Sequence, residues 1–138
     1  MNNEKLTDEL IRDEGLRLRP YTDAVGKITI GIGRNLTDAG ISREEAYHLL
    51  NNDLENTLAD LDQHLPWWRG LDEVRQRVIA NMAFNMGIIK LLTFAKTLAL
   101  VQAGDYPAAA GAMLDSTWAR QVGPRAIRLS DLMRRGGA

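Results

Sequence analysis

The sequence contains no cysteine, so disulfides, thiol nucleophiles and metal–thiolate sites are excluded. Imidazole is scarce too. His48 and His64 stand far apart with no cluster of ligand-type side chains around them, so no metal and no other cofactor is expected. Charge of one sign is also lacking. Seventeen basic and 18 acidic residues leave a net charge of −1, which argues against electrostatic capture of nucleic acid by the whole molecule. No apolar run approaches a membrane span, and the opening residues Met1 to Lys5 lack the apolar stretch of an export signal. The expectation is a monomer made in the cytoplasm, without stable membrane insertion.

What is present is ordinary for a globular chain. The 138 residues are 45% apolar and 25% charged, enough for one domain with a core, or one divided into two small lobes.

The chemistry is concentrated between residues 14 and 34. Leu6, Leu10 and Glu14 are spaced four apart, which sets the carboxyl on the apolar face of a short helix stopped by Gly15. Apolar neighbours and the negative end of the helix dipole both disfavour the anion there, as a general acid requires. The plainer alternative is a last-turn glutamate with its head in water. Asp23 opens the turn Asp23-Ala24-Val25-Gly26, where its side chain can cap the turn backbone. As a catalytic group it would be the ionised carboxylate opposite a protonated Glu14.

The strand after that turn alternates. Ile28, Ile30 and Ile32 are read as the core face. Thr29, Gly31 and Gly33 form the other face, a nearly bare floor where a ligand can approach the backbone. The glycines read equally well as a bulge or kink.

Glu, eight residues, Asp, five residues, Thr, then Gly-Ile-Gly: in this arrangement the segment DEGLRLRPYTDAVGKITIGIG resembles the phage-type lysozymes of the T-even family, the muramidases used as endolysins. The resemblance continues in GLDEVRQRVIANMAFNMG (Gly70 to Gly87) and STWARQVGPRAIR (Ser116 to Arg128), and more weakly along residues 42–61.

The intervening chain reads as mostly helix. Ser42 and Glu45 form a capping box, with Ile41 and Ala46 as a hydrophobic staple, for a long helix that ends shortly before Pro66. Trp67 and Trp68 cannot both enter one core from a helix, so at least one covers an edge. Asp72 caps an apolar helix ending at Gly87, and a short turn from Ile88 to Leu92 follows. A helix from about Phe94 to Ala103 comes next, then one capped by Asp105 that runs to about Trp118. Gly123-Pro124 starts the last helix, through Met133. The fold class is α+β, mainly α. The small sheet lobe is set at about 14–41, the connecting helix at 42–64, and a helical lobe at about 67–135 together with the N-terminal helix.

The resemblance implies a two-lobed lysozyme-like fold with the active site between the lobes. It implies a catalytic set of Glu14, Asp23 and Thr29, with Gly31, Gly33 and Gln121 toward substrate and Arg125 near Glu14. Arg128 falls where it would pair with Asp13. Where the family often has a histidine after the Gly-Ile-Gly strand this chain has Arg34, and Asp53 is the matching acid, so an Arg34–Asp53 ion pair is expected. Only Asn35 to Ile41 separate that strand from the long helix, shorter than in larger members.

The implied activity is hydrolysis, with inversion, of the β-1,4 bond between N-acetylmuramic acid and N-acetylglucosamine in bacterial peptidoglycan. It implies host lysis after a separate holin-type membrane protein releases the enzyme to the wall. Rival readings are a lytic transglycosylase, a silent wall-binding module, and a helical nucleic-acid binder built on the basic last segment.

Overall fold

The computed structural model describes residues 1–137, which divide into two compact units, one of residues 1–49 and one from residue 50 onward. The architecture is α+β and mainly α.

In the first unit, helix α1 (Asn3–Glu14) is capped by Asn2, whose side chain accepts from the Lys5 N–H at 3.1 Å. Gly15, at φ 77°, ends it. A three-stranded antiparallel sheet follows, in the order β1 (Arg17–Thr22), β2 (Ile28–Gly31), β3 (Arg34–Asn35). β1 is an edge strand with an irregular register between Arg17 and Tyr21, and Pro20, which has no N–H to give, falls in that gap. Tyr21 pairs with Thr29 across β1 and β2, and Thr29 with Asn35 across β2 and β3.

The isoleucine face expected of β2 is not the buried one. Thr29 is 4% exposed, whereas Ile28 and Ile32 are 49% and 42% exposed. The strand ends at Gly31, and the Ile30↔Arg34 pair closes a tight loop of Gly31, Ile32 and Gly33. Gly31 and Gly33 both have positive φ (70° and 75°), so the chain turns there and the two-residue alternation stops.

Helix α2 (Arg43–His64) starts in the first unit and continues into the second. Its capping box is formed as read: the Glu45 N–H donates to Ser42 Oγ at 3.1 Å, and the Ser42 N–H to Glu45 Oε1 at 2.9 Å.

The second unit is helical. A 3-10 turn (Trp68–Gly70) leads to α3 (Glu73–Met86), α4 (Ile88–Leu92), α5 (Ala95–Gln102), α6 (Tyr106–Leu114), α7 (Thr117–Val122) and α8 (Pro124–Arg135). α3 supplies Val78, Ile79, Met82 and Ala83 to a core shared with Leu91, Met113, Trp118 and Met133. Trp68 is buried, its indole N–H donating to Asp62 at 2.8 Å, while Trp67 is only partly covered. That is the division of labour two adjacent tryptophans require.

One helix was expected from Asp105 to about Trp118, and two are found. Ser116 is extended and caps α7 by accepting from the Ala119 N–H at 3.1 Å. Its own hydroxyl donates to the Met113 carbonyl at 2.7 Å, closing the end of α6. The run Asp115-Ser116-Thr117 carries this break.

α3 and α8 are also tied by a polar knot. Arg75, with a side chain only 12% exposed, donates through Nε to the Met133 carbonyl (2.7 Å) and through a terminal nitrogen to that of Arg134 (2.9 Å). Its guanidinium lies 3.5 Å from the centre of the Tyr106 ring and also pairs with Asp72, which caps α3. No helix among the described residues is long and apolar enough to cross a membrane.

Candidate active site

Glu14 is the last residue of α1, immediately before a glycine that lets the chain reverse into β1. The expected desolvation of this carboxyl is not found. Glu14 is exposed, and α1 buries none of its residues, with Leu6 and Leu10 at 37% and 44% exposure. Four-residue spacing sets residues on one face, but it does not supply something to cover that face. The Glu14 carboxylate accepts no hydrogen bond among the described residues.

Its position is set instead by a glycine. A Cβ placed on Gly33 would lie 2.8 Å from Glu14 Oε2 and 3.0 Å from its carboxyl carbon. The carboxyl therefore rests on bare backbone in the β2–β3 loop, which is how Gly33 contributes. Gly31, one residue before Ile32 with nearly the same φ, has nothing within 4 Å of such a Cβ.

This contrast makes a paired prediction. Gly33→Ala and Gly31→Ala carry the same backbone strain, about 1–2 kcal/mol for a left-handed alanine. At Gly33 the clash is relieved by swinging the flexible Glu14 side chain away. Gly33→Ala is therefore expected to lose about 100-fold in kcat, the cost of misplacing a reacting group by about 1 Å. Gly31→Ala should melt similarly but leave the Glu14 carboxyl where it is. A crystal structure of each variant should show the carboxyl displaced only in Gly33→Ala; an undisplaced carboxyl there would refute the contact.

Asp23 is held differently. Its Oδ1 accepts from the backbone N–H groups of Val25 (3.0 Å) and Lys27 (2.8 Å), while its own N–H donates to the Lys27 carbonyl at 2.8 Å. One carboxylate oxygen is spent on the turn, as the sequence suggested, and Oδ2 takes no hydrogen bond among the described residues. Thr29 is buried with its hydroxyl donating to the Lys27 carbonyl at 3.2 Å. Lys27 thus links both: its N–H binds Asp23 and its carbonyl receives Thr29.

Arg34, expected to pair with Asp53, finds its partner within its own unit. Its guanidinium donates to Glu45 Oε1 at 2.7 Å and to the Gly40 carbonyl at 3.2 Å. The short β3–α2 connection brings the first turn of α2 to Arg34, and the Glu45 carboxyl, already turned back by the capping box, is there to meet it. The Arg34 hydrogen bond and the Ser42 N–H hold Glu45 down to a pKa of about 2, and Glu45 in turn raises that of Arg34.

The sign follows directly. A carboxyl whose folded pKa lies below its ordinary 4.5 stabilises the fold fully above that value, and the contribution fades as pH falls toward about 2. The stability difference between wild type and Glu45→Gln, measured by denaturant midpoints, is expected to be largest near neutrality and to vanish near pH 2.

The remaining residues lie in the second unit. Arg125 donates through Nε and a terminal nitrogen to Asn81 Oδ1, at 2.9 and 2.8 Å. Gln121 receives only a long 3.5 Å contact from Lys90. Asp53 has no ion pair within its unit among the described residues, and in the first unit Asp13 sits beside Arg12 at 3.5 Å.

Comparison with known proteins places this arrangement. The sequence profile of the phage lysozyme family matches residues 12–137. The chain belongs to the phage lysozyme family. It is 33% identical to the pre-baseplate central spike protein of Enterobacteria phage T4 over 97% of its own length, spanning 28% of that protein. Two probable T4-type lysozymes of Dictyostelium discoideum are each 28% identical over 95% of the chain and 94% of their own length. As a phage lysozyme the chain is a glycoside hydrolase of the peptidoglycan-degrading kind. Glu45 was not read as the partner of Arg34 from the sequence; the capping box was the signal that could have found it.

Proposed function

We propose that this phage lysozyme is an endolysin-type N-acetylmuramidase, cutting the β-1,4 bond between N-acetylmuramic acid and N-acetylglucosamine. Glu14 protonates the departing glycosidic oxygen. Asp23, through its uncommitted Oδ2, orients and deprotonates the water that attacks the anomeric carbon from the opposite face. Thr29 fixes the Lys27 backbone that in turn fixes Asp23. The observation that carries this reading is the contrast between the two carboxyls. One is free of hydrogen bonds on a bare glycine, and the other is clamped at one oxygen by two backbone N–H groups with the second oxygen open.

A water nucleophile on the opposite face gives inversion. The test is digestion of purified peptidoglycan with identification of the new sugar ends and of the anomer first formed. Reducing N-acetylmuramic acid ends, initially of the inverted anomer, are the expected products. Anhydro ends would make the chain a transglycosylase, and intact glycan with folded protein would leave a wall-binding module.

The biological role we assign is host lysis. In that role the protein acts on the wall only after a separate, holin-type membrane protein opens the way. Expression alone should leave host cells intact until the inner membrane is permeabilised; lysis without permeabilisation would overturn this assignment.

A further inference from the structure

The β2–β3 loop carries Glu14's resting place. The base of the hairpin is held by the Leu36 N–H on the Ile28 carbonyl (2.8 Å) and the Ile28 N–H on Thr37 Oγ1 (2.9 Å), but its loop end is held by less. β3 is two residues long, two residue pairs close the hairpin, and two of the three loop residues are glycines. So short a ribbon is marginal by itself, and glycine adds freedom. The side-chain anchor nearest that loop end is Arg34, the residue after Gly33. One guanidinium nitrogen binds both the Gly40 carbonyl and Glu45, and Glu45 is itself fixed to the Ser42 N–H at the start of α2.

We propose that Arg34 and Glu45 are positioning residues for Glu14, tying the hairpin to the first turn of α2 so that Gly33 stays beneath the carboxyl. This rests on the reading of Glu14 as the general acid. The two side chains are 40% and 43% exposed, and ion pairs so open to water contribute little to stability. The pair's effect therefore falls on geometry, where a small displacement is costly.

The test uses Arg34→Ala, Glu45→Ala, the double variant, Arg34→Lys and Ser42→Ala, assayed on purified peptidoglycan below each melting temperature. Each single alanine variant is expected to lose about tenfold in kcat with KM within about twofold. The double should lose no more than the worse single, because the two act as one unit. Arg34→Lys, whose one nitrogen can serve the same two acceptors, should recover most of the loss. Ser42→Ala removes the cap but not the Arg34 contact, and should keep kcat within about twofold.

Multiplying losses in the double, unchanged kcat in folded single variants, or a change confined to KM would each overturn the proposal. Failure of the underlying reading shows separately, as a Glu14→Gln variant that keeps full activity.

Discussion

Glu14→Gln is expected to lower kcat on peptidoglycan by about 100- to 10,000-fold, the range for removing a positioned general acid. Stability should hardly change. The carboxylate is exposed and accepts no hydrogen bond among the described residues, so the amide strands no partner, and surface changes of this kind stay within about 0.5 kcal/mol. Glutamine also keeps the length that sets the side chain against Gly33. KM should move little, because only a proton needed at the transition state is lost. Steady-state kinetics with thermal melts of the same preparation separate the possibilities. A tenfold loss or less would assign the proton to another group, and a lowered melting temperature would make Glu14 structural.

Trp118→Ala should be the most damaging single change to the fold. The side chain is 2% exposed, meets Phe94 edge-to-face at 6.3 Å between ring centres, and donates its indole N–H to Asn85 at 2.7 Å. Truncation removes a large apolar surface, opens a cavity and leaves the Asn85 oxygen without its donor, at a cost of about 3–5 kcal/mol. At a urea slope of about 2 kcal/mol per molar, the midpoint falls by about 2 M. Trp118→Phe keeps the ring contact but not the donor and should lose about half as much; identical losses would mean that the cavity has no part in the effect.

The contrast between these sites shows what the sequence could display. Caps and stops are local, so Asp72, Gly15, Gly87 and the Ser42–Glu45 box were legible residue by residue. The Asp23 turn was legible for the same reason, since its partners lie within four residues. The proposed set of Glu14, Asp23 and Thr29 rests on a spacing that resembles a known family, not on the chemistry of any one residue. Arg34 shows the limit. The resemblance pointed it to Asp53 alone, whereas the short loop after β3 brings Glu45 to the guanidinium. Glu14 shows another. Periodicity gave its helix an apolar face, but burial depends on what meets that face, and no pattern within twelve residues encodes it.

The knot at Arg75 also bears on how the protein is made. Translation delivers this arginine 58 and 59 residues ahead of the two carbonyls it binds, and Asp72 comes 65 residues ahead of the Gly137 N–H that it accepts. While α3 is emerging from the ribosome, the guanidinium has Asp72 but none of its α8 acceptors, so a buried place for it does not yet exist. The helical unit thus has little to gain from closing its core early, and closure waits on contacts of long sequence separation, which are slow to form. Until they form, the nascent α3 has Val78, Ile79 and Met82 uncovered, and the interval before α8 arrives is when this apolar face is most open to wrong contacts.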